Sequence, residues 1–227
     1  MDIINQKWYN IQSNLKIKHG TFERELQEQK MVVRYFTGME KVLELGGNIG
    51  RNSLIIASIL KDQKNLVTLE SCPKIESNLK ENRNLNNFTF NIENAALSNR
   101  DLIQKRWDTI PYKAKKWKTK KKRGWKKIKT ITLEKLKEKY DVKFDTLVID
   151  CEGAFYYILE DMPEILTNIN LIIMENDYKN IQHKKYVDKV LLENNFYRDY
   201  VECEPKKQCW RGGEHPCWKN FFEVWKR

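Results

Sequence analysis

The chain has 227 residues and a mass of 27.3 kDa, and 41% of its residues are hydrophobic, which suffices for one packed domain. No apolar run approaches the ~20 residues that a transmembrane helix needs, and the first residues lack the basic and apolar segments of a secretion signal. These features argue against a membrane-spanning protein and predict a single soluble domain over residues 1–227 in the reducing cytoplasm. The odd number of cysteines, five, agrees with that compartment.

The formal net charge of +11 comes almost entirely from one segment. Residues 104–129 contain thirteen Lys or Arg residues and one acid, Asp108, so the rest of the chain is close to neutral. A partner that reads positive charge is therefore expected to bind at this basic insert.

The order of elements predicts an α/β fold. Two amphipathic stretches within residues 1–38 predict N-terminal helices. After them, strands are predicted at 41–45, 65–70, 88–92, 144–150 and 171–175, and helices at 52–60, 73–84, 131–140, 154–159, 163–167 and 181–194. Two last strands, 196–202 and 221–226, are expected to pair antiparallel around a loop at 203–218. This pattern predicts a doubly wound, mostly parallel seven-stranded sheet with a terminal antiparallel strand.

The sequence VLELGGNIG, residues 42–50, joins the first strand to its helix. Glycines allow a tight turn and let a ligand approach the backbone. Their spacing matches neither the G-x-G-x-x-G dinucleotide motif nor the G-x-x-x-x-G-K-[ST] phosphate loop. What remains is acid-x-G-x-x-x-G, with Glu44 as the acid and with Gly46 and Gly50 as the glycines.

This pattern resembles the first loop of class I methyltransferases that use S-adenosylmethionine (SAM). The resemblance implies that residues 46–50 face the methionine part of SAM. It implies that Glu70, after the second strand, faces the ribose, and that the turn after the third strand faces the adenine. The implied cofactor residues are Glu44, Gly46, Gly47, Asn48, Gly50, Glu70, Ser71, Asn94, Ala95 and Asp150. The alternative is a glycine-rich turn that binds no ligand, followed by an acid, Glu70, whose spacing from the turn is incidental.

Residues 131–176, ITLEKLKEKYDVKFDTLVIDCEGAFYYILEDMPEILTNINLIIMEN, are similar to the signature region of the FkbM family of SAM-dependent O-methyltransferases. The matching positions are Thr132, Leu133, Glu134, Asp150, Glu152, Gly153, Leu159 and Glu175, with Glu23 in the upstream HGTFERE. Val148 and Phe155 depart from the family pattern, which usually has lysine and glutamate there. Both positions border the reacting end of the expected cleft, so the resemblance does not define the acceptor.

Methyl transfer to a hydroxyl requires an acceptor that is held near the methyl group and loses its proton. Asp150 and Glu152 follow the predicted central strand, and either is a candidate general base. An alternative is a magnesium site made by Asp150, Glu175 and Asn176, which resembles the oxygen ligands of catechol-type O-methyltransferases. Asp150, at the end of its strand, could also cap the next helix.

The favoured prediction is a SAM-dependent O-methyltransferase that acts on a hydroxyl of a sugar or glycan. The basic insert is interpreted as a lid or acceptor-recognition loop that selects an anionic small-molecule or glycan acceptor. Because lysines bind phosphates and aromatic rings stack on bases, an RNA or other nucleic-acid acceptor stays an alternative. A solvated loop without such a role, and a non-catalytic binding module with the same fold, are further alternatives.

The segment between the last two strands contains Cys203, Cys209, His215 and Cys217, which are potential zinc ligands. Their spacing misses the usual C-x2-C to C-x4-C pairs. A loop that closes over the acceptor through Trp210 and Trp218 is therefore favoured over a zinc site.

Overall fold

The computed structural model describes residues 2–209 and 213–227, so Trp210 lies outside the described residues. The helices are α1 (Ile3–Gln12), α2 (Leu26–Tyr35), α3 (Arg51–Ile59), α4 (Pro73–Leu85), α5 (Ala114–Lys122), α6 (Leu133–Tyr140), α7 (Phe155–Asp161) and α8 (Ile181–Glu193). Short 3-10 helices span Gln63–Asn65, Pro163–Leu166, Pro205–Cys209 and Trp218–Asn220. Within the described ranges, each helix is too short or too polar to cross a bilayer.

The strands are β1 (Val42–Leu45), β2 (Leu66–Leu69), β3 (Asn91–Glu93), β4 (Ala96–Leu97), β5 (Leu102–Lys105), β6 (Asp108–Pro111), β7 (Lys126–Ile128), β8 (Thr130–Ile131), β9 (Thr146–Ile149), β10 (Leu171–Glu175), β11 (Tyr197–Glu202) and β12 (Phe222–Lys226). The third strand of the main sheet, β3, begins later than the sequence pattern predicts. Phe90, which suggested an earlier start, is buried just before it.

Seven strands form the main sheet in the order β11-β12-β10-β9-β1-β2-β3. Five neighbouring strands from β3 to β10 are parallel, and β12 is antiparallel to β10 and β11. The prediction of a doubly wound, mostly parallel sheet with a terminal antiparallel strand is confirmed. The strand order reverses between β1 and β9, so a ligand is expected beyond their carboxyl ends.

The last strand of the chain, β12, lies inside the sheet instead of at its edge. Four of its five residues are buried, whereas most residues of β11 are exposed. The more apolar strand thus occupies the covered position, and the polar strand forms the edge.

The central strands are covered on both faces, which explains their apolar sequences. All residues of β1, β2 and β9 are buried, as expected for parallel strands between two helical layers. Side chains from α2 and α3 pack on one face, and side chains from α6, α7 and α8 pack on the other.

The basic insert is a folded unit, whereas the sequence pattern predicted a loop. Strands β6, β5 and β7 form an antiparallel sheet, and α5 lies between β6 and β7 along the chain. Strands β4 and β8 pair in parallel where the chain enters and leaves the insert. The strand pattern is weak in the sequence, because β5 has a single buried residue, Ile103, and lysines are frequent in the rest of the insert.

Candidate functional site

A cleft of about 410 Å³ opens beyond the carboxyl ends of β1 and β9, where the strand order reverses. The turn after β1, the end of β2 and the turn after β9 form its walls, together with β5 and β6 of the insert. The sequence-predicted residues that line the cleft are Gly46, Asn48, Glu70, Ser71, Ala95, Asp150, Glu152 and Glu175.

The glycine turn is shaped by protein packing. Gly46 has φ +94°, and a Cβ atom there would lie 1.7 Å from the carbonyl oxygen of Asp150. A Cβ at Gly47 would meet the Thr68 side chain at 2.2 Å. The amides of Gly46 and Gly47 both donate to the carbonyl of Leu69, at 3.0 and 2.9 Å. The turn therefore joins the ends of β1, β2 and β9 tightly.

Two of the predicted cofactor glycines, Gly47 and Gly50, do not line the described cleft. Gly50 has φ +92°, and its missing Cβ leaves room for Leu79, whose Cδ1 would lie 2.6 Å away. In the structure the small size of Gly47 and Gly50 accommodates neighbouring protein atoms, and their predicted cofactor contacts stay predictions.

Glu70 is held at the end of β2 by backbone donors. Its Oε1 accepts from the Cys72 amide at 2.7 Å, and its Oε2 accepts from the Asn48 amide at 3.0 Å. The side chain is almost fully buried, and burial raises its pKa to about 7. Ser71 next to it donates its hydroxyl to Oε1 of Gln104 at 3.1 Å, which connects this wall to the insert.

The turn after β3 contributes one residue to the cleft directly and one indirectly. Ala95 is buried and lines the cleft. Asn94 does not line the described cleft, because its amide group donates to the backbone carbonyl of Glu70 at 2.8 Å. Asn94 therefore supports Glu70, and its predicted cofactor contact stays a prediction.

Glu44 lies beneath the turn and away from the cleft. It is 2% exposed and accepts hydrogen bonds from Ser53 at 2.5 Å and Thr68 at 2.6 Å. Burial raises its pKa to about 7. It borders a small neighbouring cavity of about 10 Å³ and not the main cleft, so it supports the turn, and its predicted contact with the cofactor stays a prediction.

Three carboxylates from three elements meet where the cleft, lined by Asp150 and Glu175, adjoins the small cavity lined by Glu28. Asp150 follows β9, Glu175 ends β10, and Glu28 comes from α2; one carboxylate oxygen of each lies within 4.8 Å of the others. Oxygens of this kind are the ligands that Mg²⁺ prefers. Glu28 was missed, although Met31 and Val32, three and four residues later, mark its helix face as buried.

The predicted magnesium set of Asp150, Glu175 and Asn176 stays a prediction, because the Oδ1 atom of Asn176 is buried without a hydrogen-bond partner among the described residues. Asn176 is fully buried, its side-chain amide donates to the Asn220 carbonyl at 2.6 Å, and its own amide donates to the Phe221 carbonyl. Pairing of β10 with β12 turns the residue after Glu175 toward the last strand.

The crowding of carboxylates raises their affinity for protons. Burial, and then the negative charges of Glu175 and Glu25, raise the pKa of Asp150 well above its ordinary value. Burial raises the pKa of Glu28 to about 7, and its Oε2 has no hydrogen-bond partner among the described residues. Carboxylates this close share protons or a cation near neutral pH.

Hydrogen bonds hold the segment before α2 against the glycine turn. Glu25 has a left-handed backbone (φ 56°); its Oε1 accepts from Arg51 at 2.6 Å and from the Asn48 side chain at 2.9 Å. Arg51 also donates to the Thr21 carbonyl at 2.8 Å. Glu25 and Arg51 line the cleft; Glu25 ends the HGTFERE segment, in which only Glu23 was singled out, and no sequence motif pointed to Arg51.

The turn after β9 directs Glu152 into the cleft. Glu152 and Gly153 both have left-handed backbones, with φ of 54° and 78°. A Cβ on Gly153 would lie 3.0 Å from the Asp177 carbonyl. Asp150 and Glu152, the predicted catalytic pair, thus share one cleft.

The four potential zinc ligands, for which the sequence pattern favoured a loop over a zinc site, do not gather into one site within residues 2–209 and 213–227. His215 is buried and bonds through Nε2 to Asp177 at 2.8 Å, while its Nδ1 accepts from the Cys217 amide at 3.2 Å. Cys203 and Cys209 are exposed. Since Asp177 lines the cleft, this loop is anchored at the cleft rim.

Trp218 takes no part in lining the described cleft. Its indole nitrogen donates to Glu214 at 3.0 Å, within the same loop. The predicted closure over an acceptor is therefore not formed by Trp218 in this conformation.

The insert presents uncharged residues to the cleft. Leu102, Gln104, Trp107 and Thr109 line it, and its lysines do not, as far as the described residues show. Helix α5, which is rich in lysine, contains no buried residue. The positive charge that the sequence assigned to acceptor selection thus lies on the outer surface.

No protein-family model matches this chain, and no curated protein matches it either. Solved structures do match. An O-methyltransferase from Bacillus cereus, solved in complex with SAH, has a TM-score of 0.51 and 14% identity over 100% of this chain and 92% of that chain. A protein of the NADB-Rossmann superfamily from Streptococcus agalactiae has a TM-score of 0.53 and 12% identity, over 88% and 68%.

A ribosomal protein L11 methylase from Lactobacillus delbrueckii subsp. bulgaricus has a TM-score of 0.50 and 13% identity, over 88% of this chain and 76% of that chain. Identities this low establish the fold alone. The chain has the Rossmann-like fold that class I methyltransferases share. Its resemblance to the FkbM family stays a prediction.

Proposed function

We propose that the protein binds SAM in this cleft and transfers its methyl group to a hydroxyl. One observation carries the proposal: the turn at Gly46 and Asn48, the buried carboxylate of Glu70 and the acids Asp150 and Glu152 line one cleft at the point of strand reversal. Its volume of about 410 Å³ lies within the roughly 300–1,000 Å³ of small-molecule sites.

The charges of the cleft floor fit a cationic cofactor. Asp150 and Glu175 line the cleft beside Glu28, and SAM carries a sulfonium and an ammonium group that would favour the ionised form of these acids. A cation nearby lowers the pKa of a buried acid, so it would favour the ionised form of Asp150, which can accept a proton. Glu70, with its two backbone donors, is placed to accept from a sugar diol.

The carboxylates would perform the proton chemistry. SAM supplies an electrophilic methyl group when it is bound. Asp150 or Glu152 accepts the hydroxyl proton of the acceptor, and a raised pKa improves the match between this base and a neutral working pH. The resemblance to the FkbM signature favours a sugar or glycan hydroxyl as the acceptor.

Calorimetry with SAM and with its demethylated product tests the cofactor assignment. The wild-type protein should bind both, and Glu70→Ala should weaken SAM binding by about tenfold or more, or about 1.4 kcal/mol. Glu138→Ala changes an exposed acid on α6 and should bind SAM like the wild type. Absence of SAM binding, or equal affinity in all three proteins, would contradict the proposal.

A nucleic-acid acceptor is the second candidate, and the exposed lysine-rich α5 favours it. The aromatic rings nearby argue less strongly for it, because Lys127 already lies over the Tyr112 ring at 3.9 Å and near Trp117 at 5.8 Å. Methylation of RNA that declines by orders of magnitude between low and moderate salt would establish this candidate.

A further inference from the structure

We propose that a side chamber of the cleft is the acceptor subsite and that it takes one uncharged ring that carries the reacting hydroxyl. The chamber has a volume of about 110 Å³ and lies between the β5–β6 hairpin and α7. It shares Leu97, Trp107, Glu152 and Ile158 with the main cleft, so the two spaces are continuous. This inference rests on the proposed function, because it assigns the acceptor of the same reaction.

The size of the chamber limits the acceptor group. An engineered apolar cavity of about 150 Å³ holds benzene, so a chamber of about 110 Å³ that is open to the main cleft takes no more than one six-membered ring. The chamber is open on one side to the main cleft and on another to solvent. The remainder of a larger acceptor can therefore extend outside while one ring is enclosed.

Two aromatic side chains favour stacking on a ring. Trp107 of the insert and Tyr157 of α7 line the chamber and are 51% and 43% exposed. Large aromatic residues that stay exposed beside a concave apolar surface are typical of binding sites. Ile110, Pro111 and Met162 complete an apolar lining against which the flat face of a sugar or a phenol can pack.

The charges in the chamber disfavour an anionic ring. Arg100 forms an ion pair with Asp161, so its charge is already compensated. Glu152, the other charged residue of the lining, is negative. The lysines of the insert lie on the outside of its sheet and helix, so a phosphate or carboxylate on the enclosed ring would meet no free cation among the described residues.

The position of Glu152 connects the chamber to the reaction. Glu152 lines both spaces, so a hydroxyl on a ring in the chamber can lie against its carboxylate. In the transfer, the acceptor oxygen forms a bond to the methyl carbon as the carbon–sulfur bond breaks with its electron pair on sulfur. The hydroxyl proton goes to a carboxylate, and the products are a methyl ether and the neutral thioether.

Variants of residues that line only the chamber test the assignment. Tyr157→Ala removes a stacking surface, Tyr157→Phe retains the ring, and Ile110→Trp fills the chamber; none of these residues lines the main cleft. Trp125→Ala is the matched control, since Trp125 belongs to the insert but lines neither space. Two quantities are measured for each protein: the Kd for SAM by calorimetry, and the KM and kcat for each acceptor.

The acceptor panel contains methyl α-glucopyranoside and 4-methylcatechol as uncharged rings, glucose 6-phosphate as a charged one, and a short RNA. The wild-type protein should methylate at least one of the uncharged rings, and which one reacts distinguishes a sugar from a phenol acceptor. Tyr157→Ala should raise its KM by about tenfold, Tyr157→Phe should restore it to within about threefold, and Ile110→Trp should abolish turnover. The Kd for SAM should stay within about twofold throughout.

The outcomes separate the two proposals. Absence of SAM binding by the wild type would overturn the proposed function and this inference together. SAM binding with turnover of only glucose 6-phosphate or RNA, or of no panel member, would overturn the inference alone. A KM for the uncharged ring that is equal in Ile110→Trp, Tyr157→Ala and the control would also overturn it.

Discussion

The two walls of the cleft differ in origin and in charge. The wall built by the main sheet is acidic, with Asp150 and Glu175 at strand ends and Glu28 facing them. The wall built by the insert is uncharged where it faces the cleft, although the insert as a whole accounts for the net positive charge of the chain. The comparison teaches that net charge per segment does not report the charge of the surface that faces a ligand.

If the acidic wall performs the chemistry, Asp150→Asn should have the largest effect on turnover. Asparagine has a similar shape but cannot accept the hydroxyl proton, so kcat should fall by roughly 10²–10⁴ while SAM still binds. Steady-state kinetics and calorimetry measure the two effects. Asp141→Asn, at an exposed left-handed position, should be fully active; an equally active Asp150→Asn would remove this acid from the mechanism.

The position of the acidic wall depends on the close contact at Gly46. Gly46→Ala would place a Cβ atom 1.7 Å from the Asp150 carbonyl in a backbone with φ +94°. Thermal and denaturant unfolding should show a loss of about 3 kcal/mol or more. Gly124→Ala is the control, because its φ is +83° but its nearest neighbour is a side-chain atom at 3.9 Å; it should lose about 1 kcal/mol. Equal losses of stability in the two variants would mean that the left-handed backbone alone, and not the contact with the Asp150 carbonyl, requires glycine at position 46.

The two walls also differ in how much of their structure could be predicted from the sequence. Nearly uninterrupted apolar runs such as 144–150 predicted the parallel strands, because a strand covered on both faces must be largely apolar. The positions of Asp150 and Glu70 followed from strand ends. Glu28 and Asn176 could not be placed in the same way, since one comes from a helix distant in sequence and the other is turned by pairing with β12.

The insert was the harder part of the chain to predict. Its short strands carry lysines at exposed positions, so the alternating pattern that marks a strand is weak. Its folded sheet depends on pairing between β5 and strands on both sides of it in sequence. The insert therefore looked like a charged loop in sequence, and its uncharged inner surface was hidden.

The protonation of the acidic wall can be changed selectively at Glu175. Its negative charge raises the pKa of Asp150, so Glu175→Gln should lower that pKa and shift the acidic limb of the pH–rate profile to lower pH. A pH–rate series in the presence and absence of a chelator measures this shift. If the carboxylates instead hold a required Mg²⁺, the chelator should stop the wild-type enzyme and Glu175→Gln should lose activity at every pH.

Substitution of Glu44, which lies beneath the same wall, should have a smaller effect, and it should change only the stability of the fold. Its pKa in the folded protein is about 7, above the ordinary 4.5, so the folded state holds this proton more tightly than the unfolded state between those values. Its contribution to stability is present below pH 4.5 and is lost as the pH rises through 7. In the wild type, this loss should lower the free energy of unfolding by at most about 3 kcal/mol between pH 5 and pH 8. Glu44→Gln should show no such decrease.

Chemical denaturation at both pH values measures this difference, with Glu138→Gln as the exposed control. The control should keep the pH dependence of the wild type. A Glu44→Gln variant with the same pH dependence would mean that Glu44 is ionised in the folded protein despite its burial.

The outer surface of the insert should have the smallest effect. Helix α5 contains no buried residue, so Lys118→Glu with Lys122→Glu should leave stability within about 0.5 kcal/mol and the KM of an uncharged ring acceptor within about twofold. Both values should also be nearly independent of salt, because no charge on α5 faces the cleft. A large rise in KM that disappears at high salt would show that the lysines reach the acceptor, and the division between an uncharged inner wall and a basic outer surface would then fail.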